Sequence, residues 1–132
     1  MKSLFAVIGV FEMLVGLGFV IAPSPPAKLC FGASLDGPGQ LNMARVMGVL
    51  LVALGFAFWR ARNDLQAPSA QGLAVAMFTY NAAIAVILVI SGTVSRVSAP
   101  ALWPAVGIHA AFAAWCAGIF RPRRPSNEKQ RE

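Results

Sequence analysis

The sequence predicts an all-α integral membrane protein, a four-helix bundle, and three observations predict it. Hydrophobic residues make up 58% of the 132 and charged residues only 12%. A soluble domain carries about 25% charged residues, so there is too little charge here to cover a water-facing surface. Four apolar runs approach the roughly 20 residues a helix needs to cross a bilayer. The same runs are too long and too evenly apolar to be the alternating strands of a membrane barrel. An ordinary soluble enzyme and a disordered chain are excluded on these grounds.

Helix is the expected conformation because lipid offers no partner to an open backbone N–H or C=O. The first run covers residues 4–22 and stops at Pro23-Ser-Pro-Pro26. Glu12 in its middle, and the prolines after it, favour a retained helix over a cleaved leader. Turn chemistry at Asp36-Gly-Pro-Gly39 precedes the second run, residues 41–59. Arg60-Ala-Arg-Asn-Asp64 and Pro68 separate it from the third, residues 70–92. Residues 91–98 form the next break, and Pro100 suits the first turn of the fourth run, residues 100–120. Residues 1–120 thus make one membrane domain, and 121–132 a polar, basic tail.

Lys and Arg set the expected orientation. With the N-terminus inside, the inner side holds eight: Lys2, Arg60, Arg62, Arg121, Arg123, Arg124, Lys129 and Arg131. The outer side holds two, Lys28 and Arg96. Both termini are therefore expected in the cytoplasm. The net charge of +6 reports this bias and anchoring to anionic lipid, not a nucleic-acid partner. Trp59, Trp103 and Trp115 fall near run ends, as an aromatic belt requires. Cys30 and Cys116 fall on opposite sides of the membrane and cannot pair within one chain.

Each apolar run carries a polar residue: Glu12, Arg45, Asn81 beside Thr79 and Tyr80, and His109. Glu12, Asn81 and His109 lie near the midpoints of their runs, and Arg45 about 7 Å towards the outside at 1.5 Å per residue. Charged groups at such depth cost about 2.5–3.5 kcal/mol each on insertion scales, so they should face the bundle. Helical spacing agrees. Gly9, Glu12 and Gly16 share a face, as do Arg45, Gly48 and Val52; Ala74, Met77, Asn81 and Ala85; and Ala105, His109, Ala113 and Cys116. Small residues at these spacings let membrane helices approach closely.

The expected result is a buried polar centre of Glu12, Arg45, Asn81 and His109. Glu12 would pair with Arg45 or donate to His109, with Asn81 bonding across helices. The centre reads either as glue that fixes which helices meet or as a proton-responsive or ligand site. Ala105-Val-Gly-Ile-His109 also leaves room for a macrocycle against the helix, a spacing similar to that of light-harvesting polypeptides, so His109 is a candidate pigment or haem ligand. One His, one Glu and two opposed Cys make no zinc site. There is no Walker loop, GxSxG or HExxH.

The stretches "LVGLGFVIAPSPP", "ARVMGVLLVALGFAFWRAR", "TYNAAIAVIL" and "LWPAVGIHAAFAAW" resemble small bacterial four-helix membrane proteins of the DoxX-like kind across nearly the whole chain. That resemblance implies the bundle and a bacterial inner membrane, but no particular reaction. The position of Glu12 is also similar to the essential Glu in helix one of the small multidrug resistance transporters, which implies proton-coupled export of a small molecule. Those proteins form antiparallel dimers with weak Lys/Arg bias. The eight-to-two bias, Arg45 and the proline-rich first outer loop depart from that pattern. The expected function is a non-enzymatic accessory subunit or small binding protein of a larger membrane assembly. Its partners would be the lipid bilayer and a membrane protein or a second copy, with a lipid or pigment as candidate ligand.

Overall fold

The computed structural model describes residues 2–65 and 67–119. They form five helices: α1 (Lys2–Ile21), α2 (Ser24–Phe31), α3 (Pro38–Ala61), α4 (Pro68–Thr93) and α5 (Leu102–Ile119). By length and composition α1, α3 and α4 are each able to cross a membrane. α5 is apolar and 18 residues long. The expected basic tail, with five of the eight inner Lys and Arg residues, lies outside the described residues, as does Phe120.

Proline places several boundaries. Pro38 and Pro68 open α3 and α4, where a missing N–H costs nothing. The Gln40 side chain reaches back to accept from the N–H groups of Asp36 (3.0 Å) and Gly37 (3.3 Å). α2 occupies a stretch expected as loop. Pro25 and Pro26 fall in its first turn, where their fixed φ fits a helix, so prolines that end α1 also begin the next helix. Gly32 closes α2 in a left-handed conformation (φ 66°), its N–H donating to the Lys28 carbonyl at 3.0 Å. α2 is then tied to the far end of the chain, since the Ala101 N–H donates to the Leu29 carbonyl at 2.9 Å.

The helices pack as two close pairs, α1 with α3 and α4 with α5. The first pair touches backbone to backbone. A Cβ on Gly16 would lie 2.6 Å from the Gly48 carbonyl oxygen, and one on Gly48 would lie 2.6 Å from that of Gly16. Gly9 and Gly55 meet in the same way, at 2.9 and 2.6 Å. The two contacts are one heptad apart on both helices and run in opposite chain directions, the repeat that keeps a straight seam between antiparallel helices. Between the pairs the contact is made by side chains. Leu4, Phe5, Ile8, Phe58, Ala70, Ala74, Met77 and Cys116 form one buried cluster. It joins the start of α1, the end of α3, the start of α4 and the last turns of α5 at one end of the molecule. α2, Gly32 and the α4–α5 connection sit at the other.

The seam can be tested by a single methyl group. Gly48→Ala must push α1 from α3 and should cost about 1–3 kcal/mol, as overpacking does. The readout is the midpoint of thermal unfolding in detergent. Gly18→Ala, where an added Cβ meets nothing within 4 Å, should be neutral or slightly stabilising. Equal tolerance of the two would mean that the glycines do not hold the pair together.

Candidate functional site

The polar residues of α1, α4 and α5 meet where the two helix pairs face each other. Glu12 lies between the seam glycines Gly9 and Gly16, so α3 covers it closely and it is only 1% exposed. Its Oε2 accepts a long hydrogen bond from the Tyr80 hydroxyl at 3.5 Å. Its Oε1 is buried with no hydrogen-bond partner among the described residues. Asn81, fully buried on α4, donates through Nδ2 to the Met77 carbonyl one turn earlier at 2.9 Å. Its Oδ1 contacts His109 Nδ1 on α5 at 2.8 Å.

These contacts fix the imidazole. The Met77 carbonyl can only accept, so the Asn81 amide must turn its NH₂ towards it and its carbonyl oxygen towards His109. That oxygen also only accepts, so His109 Nδ1 carries the proton. In the neutral ring Nε2 is then the atom with the free lone pair. Aromatic rings steady the imidazole from two sides. Tyr80 packs edge-on at 5.9 Å between centroids and Phe11 of α1 at 6.4 Å, and Phe11 continues into Phe112 at 5.5 Å.

Of the four residues expected at the centre, the structure brings Asn81 and His109 into direct contact. Glu12 reaches them through Tyr80, which touches both Glu12 and His109. Arg45 is not part of the cluster: it is exposed. The buried face of α3 is Ala44, Gly48, Leu51, Gly55 and Phe58, and residue 45 falls on its rim. The seam also sets the level. Glu12 lies four residues to one side of the Gly16–Gly48 contact and Arg45 three residues to the other, an axial offset of roughly 10 Å at 1.5 Å per residue. Tyr80 is the central residue that spacing alone missed. The available signal was its position beside Asn81 at mid-helix, as the chain's single Tyr.

At the end of the molecule where α3 stops, the Arg62 guanidinium lies 3.3 Å from the centre of the Trp59 ring. Cys30 and Cys116 are both free, and Cys116 donates to the Met77 sulfur at 3.2 Å. Among the described residues no group of three His, Cys, Asp or Glu side chains could hold a metal ion. No protein-family model, curated protein or solved structure matches the chain.

The arrangement predicts which side chains are coupled. Tyr80→Phe leaves both oxygens of Glu12 without a partner and should cost about 1–3 kcal/mol, the range for an orphaned buried group. In a double-mutant cycle on unfolding midpoints, Tyr80→Phe and Glu12→Gln should be non-additive. Arg45→Gln and Glu12→Gln should add; coupling there would place the arginine against the carboxyl after all.

Proposed function

We propose that this protein is a four-helix integral membrane subunit that docks sideways onto another membrane protein, an accessory or small binding component with both termini in the cytoplasm of a bacterial cell. The outer face of α5 carries this reading. Gly107, Ala110, Ala111, Ala114, Ala117 and Gly118 are all exposed. A Cβ on Gly107 or Gly118 would meet nothing within 4 Å. Small residues at three- and four-residue spacing are the surface on which a second membrane helix packs closely. The chain already uses small residues this way at the α1–α3 seam, where each glycine faces a backbone. On α5 these small residues lie among the exposed Trp103, Ile108 and Trp115, while the outer faces of α1 and α3 carry large apolar side chains such as Leu14, Leu17, Met43 and Leu50.

The two-sided arrangement supports the orientation. The start of α1 and the end of α5 lie at one end, together with Lys2, Arg60 and Arg62, and the positive-inside rule assigns such an end to the cytoplasm. A second reading, a proton-coupled small-molecule transporter, is favoured by Glu12 Oε1, a carboxyl oxygen buried in the bundle without a partner among the described residues. Transport by antiparallel dimers requires both orientations in the membrane, so topology separates the two.

Purification from native membranes in mild detergent should retain a stoichiometric membrane partner. Gly107→Leu combined with Ala111→Leu should release it while helix content is unchanged. A wild-type chain that runs as a lone monomer under these conditions would overturn the docking reading. For topology, tags at both termini should be reached only from the cytoplasm and Cys30 should label only from outside. Burial pushes the Cys30 thiol above its ordinary range, so maleimide should be used at mildly alkaline pH. Equal labelling of two orientations would favour the transporter.

A further inference from the structure

We propose that the cleft where α3 ends and α4 begins is a headgroup site for a phospholipid that carries both a phosphate and a primary amine, as phosphatidylethanolamine does. The cleft measures about 420 Å³, and Arg60, Asp64 and Ser69 are the polar part of its wall. The rest is apolar. Ala61, Ala67 and Leu73 line it and pack against the buried cluster of Leu4, Phe5 and Phe58. The two charges are opposite and do not meet. Arg60 and Asp64 are four residues apart, a spacing that brings side chains together on an unbroken helix. α3 ends at Ala61, however, and the chain turns there. The Asn63 N–H donates to the Arg60 carbonyl and the Asp64 N–H to the Ala61 carbonyl, each at 3.2 Å. That turn carries Asp64 off the helix. Both side chains are exposed, and among the described residues neither has an ion-pair or side-chain hydrogen-bond partner. The neighbouring arginine is engaged elsewhere, since Arg62 lies over the Trp59 ring.

The ligand follows from this unpaired couple. A guanidinium alone would take any anion, and a carboxylate alone would turn anions away. Held apart in one cleft, they fit a molecule with an anion and a cation of its own. Arg60 suits a phosphate, to which a guanidinium donates in fork geometry. The Ser69 hydroxyl supplies a further donor. An ionised Asp64 only accepts, so it suits a primary ammonium, which has three N–H donors, and not a quaternary one, which has none. The place in the fold selects a lipid. The cleft lies at the ends of two helices able to cross a membrane, next to Trp59, at the interfacial level where tryptophan and headgroups meet. Ala57, one turn deeper on α3, also lines it and is exposed, so its small side chain leaves the cleft open towards the acyl region. A soluble phosphoamine would use the two charges but not the apolar floor. The inference involves neither the docking face of α5 nor the orientation of the chain, because the leaflet is whichever one holds the end of α3.

The test uses the full-length chain in mild detergent, titrated separately with phosphatidylethanolamine, phosphatidylcholine and phosphatidylglycerol, with bound lipid read by native mass spectrometry. One phosphatidylethanolamine per chain should bind about 3–10-fold more tightly than either of the others, a range between exposed and desolvated charge contacts. Arg60→Gln should weaken that binding by a similar factor. Asp64→Asn should weaken phosphatidylethanolamine and strengthen phosphatidylglycerol, reversing their order. A merely structural aspartate would not reverse it. Equal binding of the three lipids by the unmutated protein overturns the proposal whatever the variants do, and so does an Asp64→Asn variant that keeps the original order. Glycerophosphoethanolamine, the headgroup without its chains, separates the two sources of this chemistry. It should compete only in large excess; displacement of the lipid at equal concentration would assign the cleft to a soluble phosphoamine and overturn the lipid site. Loss or retention of a partner on α5 leaves each of these results unchanged.

Discussion

The approach of α1 to α3 at Gly9–Gly55 and Gly16–Gly48 is the contact on which the other parts depend. Lipid is as apolar as a leucine side chain, so burial alone gives two membrane helices little reason to associate. What remains is dispersion between surfaces that fit, and dispersion falls steeply with distance. Four hydrogens in place of side chains let two backbones touch along a seam one heptad long. Glu12 sits within that seam, so the same contact that joins the helices also removes its carboxyl from lipid. The position of the polar centre is thus a by-product of where the glycines are.

The second helix pair answers the first with complementary chemistry. α4 and α5 present Tyr80, Asn81 and His109 to the side of α1 that α3 leaves open. The Tyr80 hydroxyl donates to one oxygen of the buried acid, and the Asn81 amide and the His109 imidazole satisfy each other, while Glu12 Oε1 has no partner among the described residues. Their bonds run mostly across helices, so they select which helices face each other more than they add net stability. The aromatic edges of Phe11 and Phe112 close the remaining space. α5 thus turns the polar His109 towards the bundle and a run of small residues, Gly107, Ala111, Ala114 and Gly118, outward.

Much of this was legible in residue spacing, for a physical reason. A helix forced by lipid has a known period, and small or polar residues that recur on it mark the faces that must touch protein. Gly9, Glu12 and Gly16, and likewise Ala74, Met77 and Asn81, were assigned to their buried faces on that basis. Three things were not legible. Arg45 shares helical spacing with Gly48, but only the register of α1 against α3 reveals that it lies on the rim and about one heptad from Glu12. Tyr80 looks like one more aromatic until the position of Glu12 on another helix gives its hydroxyl a partner. The helix at Ser24–Phe31 was hidden because proline reads as a stop, although the same ring is welcome in a first turn. Each miss depends on information held between elements and not within one.

The pairing of α1 with α3 also has a consequence for how the molecule is made. Both members of the seam lie within the first 61 residues, so a chain delivered from its N-terminus holds everything the glycine contact needs before α4 has been synthesised. The early hairpin carries Glu12 with α3 on one flank and no polar partner on the other, because Tyr80 arrives later. Until then the carboxyl is a temporary liability that the lipid, the insertion machinery or a neighbouring chain must tolerate. Arrival of α4 brings the Tyr80 hydroxyl to one of its oxygens, Oε2. A quality-control protease that recognises exposed acidic groups inside the membrane would therefore see the half-made protein and not the finished one.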